Sequence, residues 1–265
     1  MEIKKYANDK ISMDYIKFGK GNKTIIMVPG LSIKNVSNNA ILIEEAYNEF
    51  TNDFTVYCFD RIDNPKPNYS IKDMANDLYT AIKELGLKDL YMLGASQGGM
   101  ICLYFSMLHK SLVKKIVTAS TPISLNDKSL TIINKWIDYA KESKREKLFT
   151  SFAKTIYPDS FYNEIKDIII QQADTISDSD LERFIIMASA LNKYDFSENI
   201  EKIDIDLLMI CDLKDKLIKF KKNVSNKPNI KYHYFNEYGH ALYDLEPKFK
   251  TLALKFFLGS DINEL

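Results

Sequence analysis

The amino-acid sequence predicts an α/β protein, in which a mostly parallel sheet has helices on both faces and is interrupted by an inserted all-helical segment. Short apolar runs of strand length alternate with longer segments whose apolar residues recur at helical spacing. The alternation stops between residues 124 and 204, where only helical patterns occur, and then resumes. Because parallel strands are joined by crossovers that usually contain a helix, such alternation favours a sheet covered on both faces.

The predicted strands are mostly continuous apolar runs, which is typical of strands buried on both faces. Only the first alternates in part. The strands are expected at residues 11–18, 24–28, 54–59, 90–93, 115–119, 205–211 and 230–235. Helical spacing predicts the sheet-covering helices at residues 38–50, 70–85, 100–109 and 247–258. Ser70 and Asp73 form a capping-box pattern at the start of the second helix, and Gly86 is a stop signal at its end.

The helical interruption divides the chain into two predicted units. Residues 1–123 and 205–265 are expected to form the α/β core, and residues 124–204 an inserted cap. Within the cap, apolar residues at helical spacing predict helices at 130–140, 147–156, 161–173 and 180–191.

Composition narrows the function classes. Hydrophobic residues make up 46% of the 265 positions and charged residues 27%, as in ordinary globular proteins. Lys+Arg and Asp+Glu number 36 each, which argues against a nucleic-acid partner.

No run approaches the ~18 apolar residues of a membrane span. The N-terminus lacks an apolar signal core, and three cysteines without metal spacing are expected to be buried. We therefore expect a cytoplasmic protein that acts on a small molecule. The sequence does not specify its oligomeric state.

One motif points to chemistry. Residues Gly94 to Gly98 read G-A-S-Q-G, immediately after a predicted buried strand and before a predicted helix. In a strand-turn-helix of this kind the serine lies on a sharp turn, here Ser96. Side chains at Gly94 or Gly98 would collide with the neighbouring helix or strand. The alternative is a glycine-rich turn in which Ser96 only caps the helix.

A serine hydroxyl needs a base that removes its proton. His240 follows the last predicted strand in a loop that can reach the edge of the sheet. His109 lies at the end of a helix and His233 inside a strand, so neither is favoured. A carboxylate must then orient the histidine. Asp215 lies further into the loop after the strand at 205–211 and is preferred, with Asp212 as the alternative.

These residues resemble the α/β-hydrolase superfamily, in which the chain order is nucleophile, acid, histidine. The resemblance covers nearly all of the chain. It implies an oxyanion hole made by the backbone N–H groups of Gln97 and Leu31. Pro29 stands where relatives often carry histidine, and residues 60–63 where they often carry glycines. The inserted helices match the position of the family's cap, or lid.

The resemblance implies acyl transfer to Ser96 and hydrolysis of the acyl-enzyme, with no metal or organic cofactor. Large apolar residues of the cap, including Trp136 and Phe184, are candidates for an apolar acyl pocket, although most must form the cap's own core. A small apolar carboxylic ester is the first expectation for the substrate. A C–C bond hydrolase of a diketone-like compound is the alternative enzyme, and a hydrolase-fold receptor with little turnover is the alternative from another class.

Overall fold

Eight strands form one sheet in the computed structural model, which describes residues 1–262. Their central members are the apolar runs of the sequence, and β1 is an addition to the predicted set. The strands are β1 (Glu2–Ala7), β2 (Ser12–Phe18), β3 (Lys23–Val28), β4 (Phe54–Phe59), β5 (Leu90–Ala95), β6 (Val113–Ala119), β7 (Asp206–Asp212) and β8 (Ile230–Phe235).

The strand order is β1-β2-β4-β3-β5-β6-β7-β8. β1 and β2 pair antiparallel with each other, and β2 pairs antiparallel with β4. All later pairs are parallel. The mostly parallel sheet predicted from the sequence is therefore confirmed. Because β3 to β8 run in one direction, the loops that follow them meet at one edge of the sheet.

Five helices belong to the sheet-forming part of the chain, and they cover both faces of the sheet. They are α1 (Ala40–Ala46), α2 (Ile71–Glu84), α3 (Gln97–Leu108), α8 (Leu242–Leu245) and α9 (Pro247–Leu258). Ser70 and Asp73 form the expected capping box at the start of α2. Residues 36–39 and 48–50 are 3₁₀ turns, so the predicted helix at 38–50 is α-helical only in its middle.

Successive side chains of the buried strands point into two apolar clusters, one on each face of the sheet. In β3, Ile26 and Val28 join the cluster with α2 and α3, while Ile25 and Met27 join the cluster with α9. This alternation explains why the strand is apolar at every position. The three cysteines, Cys58, Cys102 and Cys211, are buried and unpaired, as expected.

Four helices lie between β6 and β7. They are α4 (Asp127–Lys141), α5 (Arg145–Ile156), α6 (Asp159–Ala173) and α7 (Asp178–Ser189), each close to its predicted bounds. A bridge between Ser124 and Asp195 brings the two ends of the insertion together. Buried side chains of α4 and α7 belong to the same apolar cluster as α2 and α3. The division into core and cap at residues 124–204 stays a prediction.

Within residues 1–262, no helix combines the length and the apolar character that crossing a bilayer requires.

Candidate functional site

Ser96 lies on the sharp turn between β5 and α3. Its backbone has φ 50° and ψ −118°, a conformation that a residue with a side chain rarely adopts. Two glycines allow the turn. A Cβ at Gly94 would lie 2.6 Å from the Cα of Gly99 in α3, and one at Gly98 would lie 1.9 Å from the Val28 carbonyl oxygen of β3. The predicted need for glycine at both positions is confirmed, and the strained turn presents the Ser96 hydroxyl beyond the end of β5.

His240 lies within hydrogen-bond distance of Ser96, and Asp215 lies on the other side of the imidazole. The His240 Nε2 is 3.0 Å from the Ser96 Oγ, and the His240 Nδ1 is 2.7 Å from the Asp215 Oδ2. The His240 and Asp215 side chains are 2% and 0% exposed. With the imidazole proton on Nδ1, His240 donates to Asp215 and accepts from the Ser96 hydroxyl, which is the arrangement of a nucleophile and its base.

Two loops at the edge of the sheet orient these side chains. Asp215 follows β7, and its second oxygen, Oδ1, accepts hydrogen bonds from the backbone N–H groups of Leu217 and Ile218, each at 2.8 Å. His240 follows β8, and its carbonyl oxygen accepts a 2.7 Å hydrogen bond from the Ser120 hydroxyl. Asp215 and His240 are thus each held by contacts outside their own pair.

Asp212, the alternative acid, occupies a different place. Its buried carboxylate accepts hydrogen bonds from the backbone N–H groups of Lys214, Glu237 and Tyr238, at 2.7 to 2.9 Å. It therefore ties the loop after β8 to the end of β7, which brings His240 toward Asp215.

The other two histidines lie where the sequence predicts them. His109 is the C-terminal cap residue of α3, and its ring stacks on Tyr79 with centroids 3.6 Å apart. His233 lies in β8. Burial lowers the pKa of both imidazoles.

The two residues expected to supply oxyanion-binding N–H groups lie on segments beside Ser96. Gln97 is the first residue of α3, so its backbone N–H has no carbonyl partner within the helix. The segment Pro29-Gly30-Leu31 follows β3. A Cβ at Gly30 would lie 3.4 Å from the Ser96 Cβ, which places this loop against Ser96. The role of Leu31 and Gln97 stays a prediction.

Trp136 and Phe184 both lie in an aromatic cluster of the inserted helices. The Phe152 ring is 4.7 Å from Trp136 and 6.2 Å from Phe184, centroid to centroid. Both residues are 1% exposed, and the Trp136 indole N–H donates to the Ser151 hydroxyl. These contacts are those of a cap core, so their part in a substrate pocket stays a prediction.

A cavity of about 150 Å³ opens beside His240. The junction of α5 and α6, at residues 155–159, forms one wall. Lys214, Lys216, Glu237 and Gly239 line it together with His240. The inserted helices therefore contribute to the surface next to the candidate base.

A buried charged cluster lies under the loop after β3, and sequence analysis assigned it no role. Asp60 and Arg61 follow β4 and are 4% and 5% exposed. Arg183 of α7 donates to the Asp60 carboxylate at 2.9 Å. Burial lowers the pKa of Arg61 to about 10, against the opposing effect of Asp60. The sequence did contain one signal for this cluster: two charged residues directly follow a buried strand, at the same edge of the sheet as Ser96.

Comparison with known proteins gives a consistent picture. A family model described as alpha/beta hydrolase fold matches residues 23–247. A protein of Serratia proteamaculans (strain 568) named "Putative carbamate hydrolase RutD" is 23% identical over 57% of the chain, and the match spans 58% of that protein.

Two solved structures share the fold over nearly their whole length. MGS-M2, an alpha/beta hydrolase enzyme from a Medee basin deep-sea metagenome library, has a TM-score of 0.85 at 18% identity, covering 97% of this chain and 98% of the other. The enol-lactonase from Burkholderia xenovorans LB400 has a TM-score of 0.83 at 14% identity, covering 96% and 100%.

Proposed function

Because the chain belongs to the α/β hydrolase family, we propose that it is a serine hydrolase with Ser96 as nucleophile, His240 as base and Asp215 as acid. The observation that carries this proposal is the continuous hydrogen-bonded series from the Ser96 hydroxyl through the imidazole to the Asp215 carboxylate. The strained turn at Ser96 and the nearly complete burial of His240 and Asp215 support the same roles.

The proposed reaction proceeds through an acyl-enzyme. The Ser96 Oγ attacks the substrate carbonyl carbon while the His240 Nε2 takes the hydroxyl proton. Asp215 holds the imidazole orientation and stabilises the imidazolium. The N–H groups of Gln97 and Leu31 bind the oxyanion of the tetrahedral intermediate. His240 then gives its proton to the leaving alcohol. Water, deprotonated by His240, attacks the acyl carbon. The bond to the Ser96 Oγ then breaks, His240 returns the proton to this oxygen, and the carboxylic acid is released.

For the substrate we propose a carboxylic ester with a small apolar acyl group. The inserted helices are rich in apolar side chains, which supports this class because acyl pockets are mostly apolar with few polar groups. At the junction of α5 and α6, Ile156, Tyr157 and Pro158 give the cavity beside His240 an apolar wall. The structural similarity to an enol-lactonase, whose name denotes a cyclic ester substrate, is compatible with this choice.

A fluorophosphonate probe tests the assignment directly. We expect the intact protein to take up one probe, and peptide mapping to find it on Ser96, because only an activated serine attacks phosphorus at a useful rate. Ser96→Ala should abolish labelling, and Ser111→Ala, at an exposed serine after α3, should leave the label on Ser96. Labelling at another serine, or none on the folded protein, would refute the proposal.

A series of p-nitrophenyl esters then tests the substrate class. Repeated turnover with an optimum among short acyl chains is expected. A single stoichiometric burst without turnover would contradict the enzyme proposal and indicate a ligand-binding protein.

A further inference from the structure

We propose that Arg61 is a positioning residue that orients both backbone N–H groups of the oxyanion site, and that Arg183 of α7 holds the Arg61 segment in place. The inference rests on the proposed function and adds to it. Arg61 touches neither the nucleophile nor its base among the contacts described above. It acts through the two segments on either side of Ser96.

A single nitrogen of Arg61 reaches both segments. Its Nη2 lies 2.7 Å from the carbonyl oxygens of Pro29 and Gly30 and 3.1 Å from the Gln97 Oε1. The first two contacts hold the loop after β3, and the third holds the first residue of α3. The two segments that carry the proposed donors are therefore linked through one guanidinium.

The contact with Gly30 determines the direction of the Leu31 N–H. The Gly30 carbonyl and the Leu31 N–H belong to the same planar peptide unit, and no cis peptide occurs in the described residues. In a trans unit the two groups point in opposite directions. A carbonyl held on Arg61 therefore turns the Leu31 N–H away from Arg61. Because Gly30 packs against Ser96, this orientation is fixed beside the nucleophile.

The side chain of Gln97 is held at both ends. Its Oε1 accepts from Arg61, and its Nε2 donates to the Met187 carbonyl oxygen of α7 at 2.8 Å. Gln97 is 0% exposed, so these contacts do not compete with solvent. They fix the start of α3, where the second proposed donor lies.

Arg183 extends the network into the inserted helices. It donates to the Asp60 Oδ1 at 2.9 Å, to the Arg61 carbonyl oxygen at 3.0 Å and to the Ile62 carbonyl oxygen at 3.2 Å. Asp60 also accepts from the Arg61 backbone N–H at 2.7 Å. Both guanidinium groups lie close to the Asp60 carboxylate, Arg61 at 3.7 Å and Arg183 at 2.9 Å, so this buried cluster has two positive charges and one negative charge. A net positive charge in a buried site favours an oxyanion that forms beside it.

If Arg61 were only a structural brace, replacing it would change the stability of the fold but not the polarisation of the acyl carbonyl group bound to Ser96. The carbonyl stretch of an acyl-enzyme reports that polarisation, since strong hydrogen bonds lower its wavenumber. The experiment acylates Ser96 with a slowly hydrolysed arylacryloyl ester and records the carbonyl band, together with kcat and KM, for the wild type, Arg61→Met and Arg61→Lys. Arg145→Met is the matched control, because the Arg145 guanidinium contacts Ser143, Ile176 and Asp178, which all lie between β6 and β7.

We expect Arg61→Met to move the carbonyl band to higher wavenumber and to lower kcat by about 30-fold or more, with KM little changed. Arg61→Lys should lie between this variant and the wild type, and Arg145→Met should match the wild type. An unchanged band and kcat in folded Arg61→Met would overturn the inference. If Arg61→Met does not fold, an unchanged band and kcat in Arg61→Lys would overturn it instead. A wild type that forms no acyl-enzyme at all would refute the proposed function, which is a separate outcome.

Discussion

Asp212 and Asp215 are close in sequence and both buried, but their partners differ in kind. Asp215 contacts an imidazole in addition to two backbone N–H groups, whereas Asp212 contacts three backbone N–H groups. The sequence favoured Asp215 as the acid because it lies further into the loop after β7, with Asp212 as the alternative. Which of the two reaches the imidazole depends on where the loop after β8 folds back. The order of residues along the chain does not specify that position.

Asp215→Asn should lower kcat by about 10⁴-fold, because an amide cannot stabilise the imidazolium and favours the wrong tautomer. Asp212→Asn should instead destabilise the fold by about 1–3 kcal/mol, since an amide nitrogen would face backbone donors, with a far smaller change in kcat. Ester hydrolysis and urea unfolding of both variants measure these effects. The opposite order of kcat would move the acid to Asp212.

His240→Ala should remove nearly all activity without unfolding the protein, because His240 is the one of the three histidines whose ring lies within hydrogen-bond distance of the Ser96 Oγ. His233→Ala and His109→Ala are the controls and should retain most of the activity of the wild type. The measurement is kcat/KM on one ester, with circular dichroism to verify folding. Comparable losses in folded His233→Ala and His240→Ala would show that the base is misassigned.

At the scale of elements, apolar periodicity predicted the central strands and the inserted helices within a few residues. It missed β1, whose side chains are exposed at five of six positions. An edge strand of this kind buries little apolar surface and is defined by its backbone pairing with β2. The buried Asp60–Arg61–Arg183 cluster was also missed, because it joins residues that follow β4 to a residue of α7, and only the folded chain brings them together.

The turn at Ser96 depends on close contact between α3 and β3. Gly98→Ala should prevent correct folding of this turn, because the added methyl group would lie 1.9 Å from the Val28 carbonyl oxygen. Gly86→Ala is the control: nothing lies within 4 Å of its Cβ, and its φ of 68° costs only about 1 kcal/mol. Thermal unfolding and phosphonate labelling compare the two. Full labelling of Gly98→Ala at the wild-type Tm would contradict the packing argument.

The packing of α2 against α3 should make stability depend on pH through His109. Burial lowers the pKa of the His109 imidazole, so the folded state binds its proton less readily than the unfolded state. The neutral His109 imidazole therefore contributes fully to stability above its pKa in the unfolded state, about 6.5. This contribution is lost as the pH falls from that value toward the lower pKa of the folded state.

His109→Phe keeps an aromatic ring beside Tyr79 and removes the titration. Its free energy of unfolding should fall less than that of the wild type between about pH 7 and about pH 5. Urea unfolding across this range measures the slope, and exposed Lys10→Gln serves as the control. Identical slopes for His109→Phe and the wild type would show that His109 does not contribute.

At the scale of the whole molecule, the inserted helices are continuous with the apolar core and line the cavity beside His240. If they form the acyl pocket, Phe184→Leu should shift kcat/KM across an ester series by a few-fold per carbon, as one buried methylene is worth about 0.8 kcal/mol. The labelling rate of Ser96 by a small phosphonate should change much less.

Phe257→Leu is the matched control for Phe184→Leu. Both residues are 1% exposed, but Phe257 lies in the cluster on the opposite face of the sheet. The two variants should lose similar stability, and only Phe184→Leu should alter acyl-length preference. An unchanged profile in Phe184→Leu would exclude Phe184 from the pocket.

The order of the strands has a consequence for how the protein is made. β6 and β7 are neighbours in the sheet, although the whole inserted segment separates them along the chain, and β8 follows later still. Pairing of strands so distant in sequence is slow, because chain entropy is lost before the contacts form. During synthesis on the ribosome, the segment with Ser96 emerges long before Asp215 and His240 do. With the roles proposed above, a nascent or half-folded chain has the nucleophile without its base, and Ser96 would be activated only when the last strands join the sheet.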